Sequence, residues 1–310
     1  MRKTERLKAL IRDKELLIMP RVHDALSAMM AERAGAKAVQ VSGFGVAATL
    51  LGMPDVGLLT LTEMALVTRH LCAAVSIPVM ADGDTGFGNA INVYRTVQEM
   101  EHAGAAGINL EDQVFPKKCG HMEGKAVVSK EEMTGKIRAA VDARRDPDFI
   151  INARTDAIAV YGIDEAIRRG NAYAEAGADL IFVEAPENAE QIRRICREVK
   201  APVSINFAEG GKTPLLTLEE LRSLGVARLS CGASQSVAAK ALLESFQVLL
   251  SEGSFRNHPE FRMDRKLMYE VVGLPRIREM EERYLPVDQF AARYGSLRLG
   301  EAGVVPDEEE

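Results

Sequence analysis

IPVMADGDTGFGNAINVYRTVQEMEHAGAAGINLED, Ile77 to Asp112, is the stretch that decides the fold. It opens on a short apolar run, IPVMAD. A glycine-rich turn then leads into INVYRTVQEMEHAGA (Ile91 to Ala105), where apolar residues recur at three- and four-residue spacing and the pattern stops at Gly-Ala. A second apolar run, GINLED (Gly107 to Asp112), follows. Strand, helix and strand, with both strands continuously apolar, is the pattern of parallel pairing with both faces covered.

The same unit repeats in both directions. Further strand-like runs are LLIMP (Leu16 to Pro20), AVQVS (Ala38 to Ser42), FIINAR (Phe149 to Arg154), DLIFVE (Asp179 to Glu184), PVSINF (Pro202 to Phe207) and ARLSC (Ala227 to Cys231). Helical patterns such as DEAIRRGNAYAEAGA, NAEQIRRICREVKA and TLEELRSLG lie between them, with Asp164 and Thr217 as expected N-caps. Eight such units predict an α/β chain folded as a (β/α)8 TIM-type barrel. A doubly wound open sheet is the alternative, and it wants a G-x-G-x-x-G turn after an early strand. VSGFGVAATLLG offers Gly43 and Gly45, but Ala48 stands at the third glycine.

Residues 1–253 are therefore expected to form the barrel, closing with the helix AAKALLESFQVLLSEG. RMDRKLMYEVVG and PRIREMEERYL follow as a C-terminal helical arm, residues 254–290, which a lone barrel does not need. Residues 291–310 end in EAGVVPDEEE and read as an acidic, disordered tail.

Composition narrows the partners. The 310 residues are 47% hydrophobic and 27% charged, enough for one large core. A net charge of −6 and the absence of tryptophan argue against nucleic acid and against an anionic membrane surface. The N-terminus, MRKTERLKALIRDKELL, has no apolar core of a signal peptide, and no apolar run approaches the roughly 20 residues of a membrane span. Cys72, Cys119, Cys196 and Cys231 are scattered, with no C-x-x-C pair, so neither a disulfide framework nor structural zinc is expected. A cytoplasmic setting is the expectation.

In a barrel of this kind the active site lies at the C-terminal ends of the strands. Polar residues collect there: Ser42-Gly43, Asp82 and Asp84, Glu111-Asp112, Arg154 with Asp156 beyond, Glu184 and Asn206. Strand ends are otherwise apolar, because an unpaired buried charge costs several kcal/mol, so six such ends point to a shared polar pocket. Asp82, Asp84 and Glu111 offer hard oxygen ligands with few imidazoles nearby, which favours Mg²⁺, with Mn²⁺ as the substitute, over zinc. One of the aspartates could instead cap the next helix. After the fourth strand comes EDQVFPKKCGHMEGK, Glu111 to Lys125. A lysine or His121 beside Cys119 would lower the thiol pKa, and the glycines permit a closing loop. An ordinary solvated basic loop with an incidental cysteine has the same composition.

These residues resemble the isocitrate lyase and phosphoenolpyruvate mutase superfamily. The resemblance rests on DALSA (Asp24 to Ala28), SGFG (Ser42 to Gly45), ADGDTGFGN (Ala81 to Asn89), LEDQVFPKKCGHMEGK, ARTDA (Ala153 to Ala157) and FVEAP (Phe182 to Pro186), in family order. It implies a barrel whose last helix is exchanged with a neighbouring subunit, and a homotetramer. KKCGH, Lys117 to His121, matches the members that cleave a carbon–carbon bond. Met122-Glu123-Gly124-Lys125 differs from the Arg-Pro-Asn-Lys of methylisocitrate lyases, and CGASQSVAA (Cys231 to Ala239) lacks the arginine those enzymes use for a third carboxylate. The resemblance is then to the group cleaving smaller 2-hydroxy diacids such as 2,3-dimethylmalate. Carboxyphosphonoenolpyruvate mutase and oxaloacetate hydrolase are branches with a similar loop. Leu229-Ser230-Cys231-Gly232 departs from the usual Tyr-Pro or Phe-Pro at the end of strand eight.

The resemblance assigns roles. Mg²⁺ is held by Asp82, with Asp84 and Glu111 through water. The oxoacid carboxylate meets the backbone N–H groups of Ser42, Gly43 and Phe44, and Arg154. Cys119 is the general acid. Lys117, Gly120, His121 and Asn206 meet the second carboxylate, Glu184 orients Arg154 or the second product, and Asp55 also faces the substrate, a small 2-hydroxy or 2-oxo acid.

Overall fold

The computed structural model describes residues 1–294 apart from His121 and Glu209. Eight strands form a closed, all-parallel barrel in chain order: β1 (Leu17–Val22), β2 (Val39–Val41), β3 (Val79–Asp82), β4 (Gly107–Glu111), β5 (Ile150–Thr155), β6 (Leu180–Val183), β7 (Val203–Asn206) and β8 (Arg228–Cys231). The ring is shut by β1 against β8, from Leu17 opposite Arg228 to Pro20 opposite Cys231. All eight expected strands are present, and the open sheet is excluded. The SGFG stretch is instead a short helix, Gly43–Val46, capped by Ser42 and continued as a π-helix, Ala47–Leu51.

Side chains at loop ends start most of the outer helices. Asp24, Thr60, Asn89, Ser129, Asn188 and Thr217 each accept a bond from a first-turn N–H. Thr217 is thus the cap the sequence predicts. Asp164 is not a cap: helix Ile163–Glu175 starts from Gly162, whose φ of 83° turns the chain directly out of the preceding short helix, Ile158–Tyr161. Asp164 then lies within the first turn, where its charge suits the helix dipole.

The main core lies between strands and helices, with Val79, Ala81, Ile108, Ile151, Ile181 and Ile205 packed against Leu71, Val97, Met133, Ile137 and Ile192. A second cluster plugs the N-terminal mouth. Leu7 and Ile11 of helix Lys3–Arg12 pack there against Leu17, Met19, Ala38, Met80, Ala106, Ile150 and Leu180. That mouth is sealed by apolar contacts, which leaves the C-terminal mouth for chemistry.

The chain divides into two compact units, Met1–Lys240 and Ala241–Glu310. The division falls inside helix Ser234–Glu252, ahead of the boundary expected after residue 253. The second unit holds helices Arg265–Val271 and Leu274–Tyr284. A further helix, Val287–Tyr294, takes in the first four residues of the expected tail, and Glu281 holds it by accepting from Arg293 at 2.8 Å and from Tyr294 at 2.6 Å. The rest of that tail lies outside the described residues. Among the described residues no helix is long and apolar enough to cross a membrane.

Candidate active site

The polar strand ends meet in one cavity of about 60 Å³, room for several waters or a small acid. Its walls include Ser42, Gly43, Phe44, Asp55, Asp82, Glu111, Lys117, Cys119, Gly120, Arg154, Glu184 and Asn206, all expected from sequence. Asp84 joins them through Lys117, while His121 lies outside the described residues. Arg21, Gln40, Asn109, Phe182 and Ser230 complete the wall.

Two knots of charge organise the site. In the first, Lys117 Nζ lies 2.5 Å from Asp55 Oδ1 and 2.9 Å from Asp84 Oδ1. Asp82 accepts from the backbone N–H of Gly43 at 2.8 Å and of Asp84 at 3.1 Å. The chain bends sharply to do this, with Asp84 at φ 45°, a conformation few non-glycine residues adopt. A Cβ on Gly43 would stand 2.8 Å from Asp82 Oδ2, so the close approach of backbone to carboxylate needs glycine. Neither aspartate caps the next helix, since Asn89 does. Burial pushes the Asp84 carboxyl up to about 6, against the pull of Lys117 and with the repulsion of Asp82 and Asp55. Burial acts on Lys117 in the opposite sense, but Asp84, Glu111 and Asp55 outweigh it and keep the ammonium charged.

In the second knot, Arg154 donates to Asp156 from Nε at 2.8 Å and from Nη2 at 3.1 Å. Its guanidinium also faces Glu111 at 3.4 Å and Glu184 at 3.7 Å, and stacks over Phe182 at 5.1 Å. Burial lifts Glu111 well above the usual carboxylate range, opposed by Arg154 and Lys117 and reinforced by Asp156 and Asp84. Asn206 reaches Glu184 at 3.4 Å.

The loop segment Lys117 to Gly120 is seated over this cavity. Its base is a two-stranded pinch, with Gln113 bridged to Val127 and Val114 N–H donating to Ala126 O at 2.8 Å. Gln113 then clamps the loop. Its amide donates to Glu111 at 3.0 Å and to Lys118 O at 2.8 Å, and accepts from Lys118 N–H at 3.0 Å. Lys125 donates to Gly120 O at 2.5 Å and to Asp156 at 2.7 Å. These contacts distinguish the loop from an ordinary solvated one: Lys117 is 4% exposed.

Sequence reasoning assigned no role to Arg21, Gln113 or Lys125. Arg21 carried a signal, a charge inside an apolar strand; it lines the cavity and donates to Gly232 O at 2.8 Å and to Phe207 O at 2.9 Å. Asp112, grouped above with the polar strand ends, points behind the site, where Thr155, Tyr173, Arg169 and the Asp156 N–H all donate to it.

The donor set fits a hard divalent cation. Asp55, Asp82, Asp84, Glu111, Asp156 and Glu184 gather at one mouth with Arg21, Lys117, Lys125 and Arg154, six carboxylates against four cations. Among the described residues no three His, Cys, Asp or Glu stand together as a ready cage. The fit rests on donor type: carboxylate oxygens are what Mg²⁺ takes, whereas zinc prefers His and Cys.

Comparison with known proteins finds relatives over most of the chain. Residues 7–250 match the family model for phosphoenolpyruvate phosphomutase. The chain is 47% identical over 285 residues to 2,3-dimethylmalate lyase of Eubacterium barkeri, covering 92% of this chain and 99% of that one. It is 45% identical over 269 residues to 2-methylisocitrate lyase of Escherichia coli, covering 85% and 90%. The crystal structure of phosphonopyruvate hydrolase complexed with oxalate and Mg²⁺ superposes with a TM-score of 0.84 at 35% identity, covering 92% of this chain and all of that one. A closed parallel barrel is thus the frame these proteins share with the chain, which belongs to the phosphoenolpyruvate mutase/isocitrate lyase superfamily of lyases and mutases.

Proposed function

We propose that the protein is a Mg²⁺-dependent carbon–carbon lyase. It cleaves a 2-hydroxy dicarboxylate of the alkylmalate type, such as 2,3-dimethylmalate, to pyruvate and a short carboxylate, here propionate. The observation that carries this reading is the loop: Cys119 and Gly120 line the same small cavity as Arg154 and the Ser42-Gly43-Phe44 turn. The Ser42 N–H donates to Val22 O at 2.9 Å and that of Gly43 to Asp82 at 2.8 Å, so the Phe44 N–H of that turn and the guanidinium of Arg154 are the groups that fix the carboxylate of the nascent oxoacid. Asp55 fixes Lys117, which with Gly120, Asn206 and His121 meets the other carboxylate. Glu111 takes the hydroxyl proton as the C2–C3 bond breaks. Cys119 gives its proton to the carbanion left on the departing acid, before it can add back. The seated loop keeps bulk water from that proton transfer, and Glu184 orients Arg154. Asp82, Asp84 and Glu111 would hold Mg²⁺ (or Mn²⁺), which would supply Lewis-acid stabilisation of negative charge.

The test is a panel of 2,3-dimethylmalate, methylisocitrate, isocitrate and oxaloacetate, with 2-oxoacid formation followed with and without EDTA. Metal-dependent pyruvate from dimethylmalate is the expected result. No metal-dependent 2-oxoacid from any member would remove the lyase reading. Acetate and oxalate from oxaloacetate, or a phosphonate seen by phosphorus NMR, would move the protein to the hydrolase or mutase branch.

One observation favours a second substrate. The segment after β8 has no arginine for a third carboxylate, yet Arg21 of β1 lines the cavity beside Ser230. Methylisocitrate cleavage is the reading Arg21 supports, and the same panel separates the two. We also infer a homotetramer of helix-exchanged pairs, supported by Leu242, Leu243, Phe246 and Leu250, exposed along helix Ser234–Glu252. Light scattering of the purified protein tests it. The four free cysteines support a reducing, cytoplasmic setting.

A further inference from the structure

We propose that Lys125 is a positioning residue, tying the loop that carries Cys119 to the guanidinium of Arg154 through a single carboxylate, Asp156. Lys125 Nζ donates to Gly120 O at 2.5 Å and to Asp156 Oδ1 at 2.7 Å. The same Oδ1 accepts from Arg154 Nη2 at 3.1 Å, and Oδ2 accepts from Arg154 Nε at 2.8 Å. Asp156 is itself fixed from behind, its N–H donating to Asp112 Oδ1 at 2.9 Å. The side chains of Lys125 and Asp156 are 3% and 0% exposed, so these are bonds between desolvated charges, the strong class of hydrogen bond.

Their layout has a mechanical consequence. Gly120 follows Cys119, so fixing its carbonyl fixes the turn that carries the thiol. A lifted loop takes Lys125 with it and leaves Asp156 to Arg154 alone. Seating of the loop and orientation of Arg154 therefore report to each other through one carboxylate. Charge-assisted bonds to a rigid acceptor make the seated position the favoured one. This inference rests on the proposed roles of Cys119 and Arg154, and its test keeps the two questions apart.

The experiment compares full-length wild type, Lys125→Met and Lys125→Arg without substrate. Iodoacetamide labelling of Cys119 is followed by mass spectrometry of its peptide. Labelling at least 10-fold faster in K125M, with K125R near wild type, is the expected result. Loss of a neighbouring cation raises a thiol's pKa and slows alkylation, so acceleration reads exposure and not reactivity. Turnover on whichever panel acid is accepted should fall at least 10-fold in K125M and recover in K125R. Equal labelling rates in wild type and K125M would overturn the proposal, whatever the turnover. If no acid is turned over, the lyase reading fails while the labelling result still decides the role of Lys125. Should K125M fail to fold by circular dichroism, Lys125→Gln, which keeps a neutral donor for Gly120 O, is expected to label faster than K125R, and equal rates again overturn it.

Discussion

Arg169 donates to the carboxylate of Asp112 at 3.1 Å behind the strand ends that carry the site. Both residues are almost fully buried, and Tyr173 and Thr155 add bonds of 2.8 and 2.7 Å to the same oxygen. Burial and the nearby Asp156 lift the Asp112 carboxyl, while the bonds it accepts hold it down. The pair anchors helix Ile163–Glu175 to the end of β4, beneath Asp156.

Asp112→Asn is therefore expected to act on stability before chemistry. It removes one of the two carboxylates paired with a buried arginine, and breaking a buried pair costs about 3–5 kcal/mol. The urea midpoint at pH 7 measures it. A midpoint equal to wild type would mean that Glu165, which also accepts from Arg169 at 2.9 Å, suffices as partner.

Gly120→Ala is expected to do the reverse. The new Cβ would stand 2.7 Å from Glu184 Oε1 and closer still to Arg154 Nη2. Both side chains are held in the charge knot, so the loop must rise. Misplacement of about 1 Å near reacting groups lowers rates roughly 100-fold. Steady-state kinetics should show that loss in kcat/KM while the melting temperature changes little.

Much of this architecture was legible in the sequence because it follows from local pattern. Apolar runs mark buried parallel strands, and polar residues at their ends stand out against them: Asp82, Glu111, Arg154 and Glu184 could be named before any coordinates. Arg21, Gln113 and Lys125 could not be given roles, since what they do depends on where a loop folds back, and spacing does not encode that. Asp112 was misgrouped for a related reason. Adjacent strand residues point to opposite sides: Glu111 lines the cavity, whereas Asp112 meets Arg169 behind it.

Metal binding has a readout independent of turnover. Burial, with added repulsion from Asp82 and Asp55, holds the Asp84 carboxyl up at about 6. A cation that binds only the folded state at 100 times its Kd stabilises by about 2.7 kcal/mol. At about 2–4 °C per kcal/mol for a domain of this size, millimolar Mg²⁺ should raise the melting temperature several degrees, and EDTA should reverse it. Asp82→Asn should abolish the increment. An identical melt with and without Mg²⁺ would count against the proposed ligand set.

Arg228 offers the last prediction. It is fully buried in the barrel interior, Nη1 donating to Ser204 Oγ at 2.9 Å and Nε directed at Met19 Sδ at 3.1 Å. Among the described residues no carboxylate forms an ion pair with it, and Nη2 has no hydrogen-bond partner. Burial is the main force on it and pulls its proton affinity down to about 9, with Arg21 adding repulsion. At pH 7 the guanidinium still carries its charge, so the fold bears the cost of desolvating it. Even a buried ion pair can often be replaced by well-packed apolar side chains at no cost or with a gain of about 1–4 kcal/mol, and Arg228 lacks the attraction of a partner. Arg228→Met keeps the length of the chain and fits beside Met19 and Met80, so its melting temperature at pH 7 should match or exceed wild type. A large fall instead would mean that Ser204 and Asn152, left facing an apolar group, depend on this arginine more than the arginine costs the fold.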